Sequence, residues 1–246
     1  MKKRIALILT GTMLMGFVLS ACGDNESTEK KDEKTENSVE TSSNANNRTT
    51  FTVGFDAEYP PYGYMDENGE YTGFDLELAE AVCKLEGWEL VKKPINWDAK
   101  DMELNSGAID CIWNGFTMNG REDEYTFSTP YVDNSQVIVV AENSGINTPE
   151  DLAGKTVGVQ AASAALELLQ SDEKDGQKAL ADTFGALNEF ADYNTAFTEL
   201  QAGALDALAI DIGVANYQIK SRGEGYKILE ETLNTEQYAI AFKKGD

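Results

Sequence analysis

Histidine is absent from all 246 residues. Without an imidazole the chain has no Ser-His-Asp or Cys-His chemistry and no His-ligated metal site. Cationic side chains are also scarce: 20 Lys and Arg stand against 43 Asp and Glu, a formal charge of −23. A surface this acidic is repelled by nucleic acid and by an anionic membrane face, so neither is expected as an electrostatic partner. The three cysteines, Cys22, Cys83 and Cys111, form no CxxC pair, which removes zinc and thioredoxin-like readings. What remains is ordinary for a globular protein, with 41% hydrophobic and 9% aromatic residues, so a core is expected despite the charge.

The N-terminus opens Met1-Lys2-Lys3-Arg4, and residues 5–19 form an apolar stretch broken only by Thr and Gly. A positive start and an apolar segment too short to span a bilayer comfortably read as an export signal over 1–21. Its end, Leu19-Ser20-Ala21-Cys22, resembles the lipobox of bacterial lipoproteins. The resemblance implies cleavage before Cys22, acylation of its thiol and attachment to the membrane through that lipid. Residues 23–50 are, beside Gly23 and Arg48, Asn, Ser, Thr, Glu, Lys and Asp with only Val39 and Ala45 as aliphatics, too little apolar surface to offset chain entropy. Such a segment is expected to be a tether, roughly 30 Å in r.m.s. span.

From Phe51 onward strands and helices alternate, the pattern of an α/β fold. A strand is predicted over 52–55 and a helix over 75–85. Apolar residues Leu78, Ala81, Val82 and Leu85 set that helix's face, Asp75 its N-cap and Gly87 its stop. A second helix is expected over 98–105 and a strand over 110–113. Leu104-Asn105-Ser106-Gly107-Ala108-Ile109-Asp110 is repeated as Leu200-Gln201-Ala202-Gly203-Ala204-Leu205-Asp206, and Thr52-Val53-Gly54 as Thr156-Val157-Gly158. In each copy a helix ends at a Gly and a strand begins after an Asp. The repeat implies two βαβ lobes, the first over 51–138 and 237–246, the second over 139–236. Extended runs at 136–141 and 238–242 are read as two hinge strands joining the lobes, with the cleft between them.

Ligands of open α/β sheets lie beyond the carboxyl ends of the strands. Residues at those places are Asp56 and Tyr59 after the first strand, then Asn114, Gly115, Phe116 and Thr117 with Arg121 beyond. The second half contributes Gln160, Ser163, Ala164 and Asp211, and Trp97 opens the second helix. One guanidinium, carboxylates, hydroxyls and aromatic rings are the complement of a zwitterion. Arg121 offers a planar fork for a carboxylate. Asp211 and Asp56 offer negative charge for an ammonium, while Tyr59 and Trp97 wall off water. Taken singly, each has a structural reading as well: Arg121 as a solvated charge, Asp56 as a turn former, Trp97 as core. Cys83 and Cys111 are read as buried thiols, although export permits a disulfide.

These residues resemble the polar amino-acid-binding proteins of ABC transporters, solute-binding family 3. The likeness rests on Phe55-Asp56-Ala57-Glu58-Tyr59-Pro60-Pro61-Tyr62, Gly73-Phe74-Asp75-Leu76, Gly115-Phe116-Thr117 with Arg121, Phe127-Ser128-Thr129-Pro130-Tyr131, the stretch from Asp151 to Val159, and Asp206 to Asp211. It implies a two-lobed periplasmic-binding-protein fold of type II. It makes Arg121 the carboxylate clamp, Asp211 the ammonium ligand, Tyr59 and Trp97 the aromatic walls, and Thr117 with Ser163 the hydroxyl donors. It further implies a monomer without cofactor, held outside the cytoplasm, that passes a free polar L-amino acid to ABC permease subunits and their ATPase. Gln160 and Asn114 hint at a glutamine- or cystine-like ligand. Three departures stand out: the spacing from Thr117 to Arg121 is one residue short, the second-lobe loop reads Ala162-Ser163-Ala164 where a Gly-Thr or Gly-Ser pair is commoner, and the sequence stops before the helices that complete the family's first lobe. Two alternatives share the fold. A cyclohexadienyl dehydratase-like enzyme would have to draw its general acid from Glu58, Asp56 or Asp211, and a sensor domain would act without a transporter.

Overall fold

The structure is a computed structural model and describes residues 49–246. The expected export signal, Cys22 with its expected lipid and nearly all of the expected tether lie outside the described residues. Among the described residues no helix is long and apolar enough to cross a membrane.

The chain enters on strand β1 (Thr50–Phe55), where Phe51, Val53 and Phe55 point into a core and Thr50 and Thr52 point away, the period-2 alternation of a half-covered strand. A small antiparallel sheet of β2 (Glu58–Tyr59), β3 (Gly63–Met65) and β4 (Tyr71–Thr72) follows. Helix α1 (Phe74–Glu86) comes next and ends at Gly87, whose φ of 72 accepts the left-handed stop. Its buried face is Leu76, Ala79 and Cys83; Ala81 is exposed and Leu85 is 85% exposed. The expected face is therefore rotated. Asp75 is the reason: Gly73, not Asp75, is the N-cap, and the Asp75 carboxylate turns inward to accept the Gly115 N–H, which draws its helical neighbours toward the sheet. Strand β5 (Glu89–Pro94), helix α2 (Lys100–Asn105), β6 (Cys111–Ile112) and β7 (Tyr125–Phe127) complete this part. The turn Trp97–Ala99 ahead of α2 is 3-10 helix.

The long strand β8 (Val132–Ala141) leads into the second part. There follow β9 (Thr156–Gln160), α3 (Ala164–Gln170), α4 (Lys178–Ala181), β10 (Ala186–Phe190), α5 (Tyr193–Ala202), β11 (Ala207–Asp211), α6 (Ile212–Arg222) and β12 (Tyr226–Ile228). Strand β13 (Asn234–Tyr238) leads back to β14 (Ala241–Lys243). The first sheet runs β5-β1-β6-β14-β7 and the second β10-β9-β11-β8-β12, with β13 paired to β8.

Val137 and Val139 pack on one face of β8 and Ile138 and Val140 on the other, which explains its unbroken apolar run. The run lies inside the second sheet, paired to β11 and β12. The passage between sheets is made by the earlier, more polar half of β8 lying antiparallel to β13, with Val132 opposite Tyr238 and Gln136 opposite Asn234.

The internal repeat is a set of matched contacts. Asp110 accepts from the Thr52 N–H at 2.6 Å and Asp206 from the Thr156 N–H at 2.8 Å. Gly107 and Gly203 both sit in the left-handed region, at φ 74 and 76. A Cβ on Gly54 would meet Ile109 at 2.4 Å, and one on Gly158 would meet Leu205 at 2.6 Å. Each sheet thus uses a glycine to let the residue before the repeated Asp pack flat against its first strand. Cys83 and Cys111 are buried thiols in the core of the first sheet.

Candidate functional site

The carboxyl ends of β1 and β9 and the loops after β6 and β11 converge on one cavity. It is lined by Tyr59, Trp97, Gly115, Thr117 and Arg121 from the first half and by Gln160, Ser163, Ala164 and Asp211 from the second. Its volume is about 10 Å³, room for about one water and none for an amino acid. The cleft is closed. Besides the Arg121–Glu167 pair described below, hydrogen bonds span it: Gln160 Nε2 donates to Asp56 Oδ2 at 2.7 Å, Lys100 Nζ to the Ala162 carbonyl at 3.1 Å, and Asn194 to Glu58.

Of the other candidates, Asp56 borders a neighbouring space of about 720 Å³ that also meets Trp97, Glu58, Asp98, Glu189 and Asp192. Burial pushes Asp56 up to about 6 even though it accepts from the Glu58 N–H and from Gln160. Phe116 lies beneath the site, edge-on to Trp97, with the Arg121 Cζ over its ring at 4.6 Å. Asn114 is buried behind β3, where a Cβ on Gly63 would come within 2.5 Å of its Oδ1. Gly115 has a φ of 57, and a Cβ there would press on Tyr238 at 3.0 Å and Tyr59 at 3.1 Å, so glycine is what lets both rings approach.

The cationic side of the cavity is Arg121, 4% exposed. Its Nε and Nη2 donate to Glu167 Oε2 and Oε1 at 3.0 and 2.7 Å, a side-on fork, while Nη1 reaches only the Thr117 carbonyl at 3.4 Å. Lys100 lies near it, buried, with its ammonium 5.4 Å from the Trp97 ring. Burial, then the charge of Arg121, lower its pKa.

The anionic side is a network centred on Asp211. Its Oδ1 accepts from Asn134 Nδ2 and Gln136 Nε2 at 2.7 Å each and from the Tyr238 hydroxyl at 2.6 Å. The same two amides also donate to Glu236 Oε1, at 2.7 and 2.8 Å. Two buried carboxylates therefore share donors, and no Lys or Arg ion pair reaches either of them among the described residues. Burial, with Glu236 beside it, raises the pKa of Asp211.

Two expected hydroxyl donors are already engaged. Thr117 donates to Glu236 Oε1 at 2.7 Å, and Ser163 donates to the Gln160 carbonyl while capping α3 through the Leu166 N–H. The short spacing after Thr117 nonetheless brings Arg121 to the cavity, and Ala162 takes the left-handed φ of 54 that a glycine would adopt without strain. Sequence reasoning missed Lys100, Glu167, Asn134, Gln136 and Glu236. A usable signal existed for three of them: Asn134 and Gln136 alternate on one face of β8, as Glu236 and Tyr238 do on β13.

With this geometry in place the comparisons are specific. The model for bacterial extracellular solute-binding proteins, family 3, matches residues 51–245, and the chain belongs to that family. Its fold is the two-lobed α/β fold of type II periplasmic binding proteins. The L-cystine-binding protein TcyJ of Escherichia coli (strain K12) is 30% identical over 202 residues, 81% of this chain and 73% of that protein. The arginine-binding extracellular protein ArtP of Bacillus subtilis (strain 168) is 29% identical over 248 residues, 99% of this chain and 87% of that one. Among solved structures, an ABC uptake transporter substrate binding protein from Streptococcus pneumoniae with bound histidine superposes with a TM-score of 0.74 at 35% identity, covering 80% of each chain. An ancestral arginine-binding protein bound to glutamine gives 0.72 at 38% identity, covering 81% of this chain and 86% of that one.

Proposed function

We propose that this chain is the binding component of an ABC importer for a polar amino acid, and that closure of the two lobes traps the ligand in the cavity between them. The observation that carries this reading is the meeting of a buried guanidinium and a buried carboxylate network on opposite sides of one cavity. Arg121 takes the α-carboxylate through its Nη1 edge, with Thr117 and Ser163 adding hydroxyls once the lobes part and their present bonds exchange. Asp211 receives the ammonium. Tyr59 and Trp97, backed by Phe116, form the apolar walls, and Gly115 and Ala164 leave room for the ligand backbone. Gln160, with Asp56 behind it, favours a glutamine- or cystine-like side chain, while Asn114, buried behind β3, backs the site without lining it. TcyJ, named for L-cystine, is consistent with that choice. No cofactor is required. The monomer is held outside the cytoplasm by lipid on Cys22 and delivers its cargo to a permease.

A second reading, a cationic amino acid, is favoured by the neighbouring space beside Trp97, where Asp56, Glu58, Asp98, Glu189 and Asp192 gather, and by the arginine named in ArtP. Thermal shift against the twenty amino acids and cystine, followed by calorimetry on the hits, separates the two. Stabilisation by glutamine or cystine supports the first and by arginine or lysine the second. No stabilisation by any of them, with turnover of prephenate or arogenate, would replace both with an enzyme.

A further inference from the structure

The Arg121 guanidinium has two edges, and they face different spaces. Arg121 lines the small cavity, whereas Glu167 is absent from that lining and borders a neighbouring groove of about 870 Å³. Glu167 takes the Nε and Nη2 edge at 3.0 and 2.7 Å. The Nη1 nitrogen holds only a 3.4 Å contact to the Thr117 carbonyl. A carboxylate in the cavity therefore finds free N–H groups on the guanidinium without displacing Glu167, because the five donors of an arginine serve two partners at once.

The two residues belong to different lobes. Arg121 follows β6 and stacks on Phe116 at 4.6 Å, so its guanidinium plane is seated by the first lobe. Glu167 lies on α3 one helical turn beyond Ser163, so the helix that borders the cavity also brings up the carboxylate. The ion pair joins the two lobes. Its partners differ in burial: the Arg121 side chain is 5% exposed and that of Glu167 54%. On opening, Glu167 returns to water easily while the arginine stays in its seat.

We propose that Glu167 is a positioning residue. It closes on the back of Arg121 as the lobes meet, fixes the guanidinium plane for the ligand's carboxylate and slows reopening. This rests on the amino-acid-binding reading. An interaction that forms after capture acts on the rate of release and leaves the rate of encounter unchanged.

The test is stopped-flow binding to wild type, Glu167→Gln and Glu167→Asp, with L-glutamine, L-cystine, L-arginine and L-histidine as probes. Glu167→Gln is expected to raise the dissociation rate about tenfold with the association rate within about twofold, and Glu167→Asp to recover part of the loss. An unchanged dissociation rate overturns the proposal, as does tighter binding by Glu167→Gln, which would make Glu167 a competitor for the arginine. If none of the four probes binds wild type, the amino-acid reading is what has failed for them, and small-angle scattering of the ligand-free proteins then decides the role of Glu167. A larger radius of gyration for Glu167→Gln supports a cross-cleft clasp; an identical one overturns it.

Discussion

The two lobes share a frame and differ in what they hang on it. In each, the Thr N–H of a Thr-Val-Gly strand donates to the carboxylate of an Asp that follows a helix ending in a left-handed Gly. Beyond the strands the likeness stops. The first lobe follows its strands with Tyr59, Gly115 and Arg121, a loop of aromatic and cationic groups. The second follows its own with Ser163 and Asp211, the cap of a short helix and a buried acid. Opposite charges thus reach one cavity from two copies of one scaffold, and the scaffold is free of the site because its matched residues lie at the strand starts, away from the cavity.

Four experiments test how alike the two lobes are, taken from the largest expected effect downward. The first lobe buries an acid at the start of α1, where the second starts α3 with neutral Ser163. Burial pushes Asp75 up to about 7 from an ordinary 3.8. The folded protein therefore holds a proton that the unfolded chain has lost, so this contribution is complete below about pH 4 and disappears as pH rises through 7. Its size is roughly 4 kcal/mol at most. Asp75→Asn, which keeps an acceptor for the Gly115 N–H, should remove that part of the pH slope from urea melts taken between pH 4 and 8; an unchanged slope would place the proton elsewhere.

Overpacking probes the shared frame. Gly54→Val and Gly158→Val should each destabilise by about 2 kcal/mol in urea unfolding, because a Cβ meets Ile109 in one lobe and Leu205 in the other. Effects that differ severalfold would show that the two frames are not packed alike. The site's two poles come next: Arg121→Ala and Asp211→Ala should each weaken amino-acid binding at least tenfold, about 1.4 kcal/mol, by calorimetry. Full affinity in either variant removes that residue from the site. The smallest effect is expected at Ala162→Gly. Relief of the left-handed φ of 54 competes with the added freedom of the unfolded chain, leaving a net gain of about 0.5 kcal/mol in thermal melts.

Much of this was legible in the sequence because it depends on local chemistry. The repeated Gly and Asp mark strand starts and helix ends, and nine candidates, eight of them chosen for their place after strands, line one cavity. What escaped reading depends on side chains meeting across the chain. Nothing near Asp75 tells that its carboxylate reaches Gly115, so the α1 face was misjudged by part of a turn. Glu167 looks like one more solvated acid in an acidic protein until α3 is set against Arg121. Asn134, Gln136 and Glu236 sit in strands whose apolar neighbours dominate the pattern, and their polar stripe shows only when β8 and β13 are aligned.

That alignment makes the connection between lobes a gauge as well as a pivot. With Gln136 opposite Asn234 and Val132 opposite Tyr238, a slip of one residue would turn Asn134, Gln136 and Glu236 to the opposite face of the ribbon and strand Asp211 without donors. Bending or twisting the ribbon changes the angle between the sheets and keeps the register. The donors of Asp211 are therefore assembled by strand pairing, and under the proposed hinge closure they would stay in place while the arginine's clasp is made and unmade.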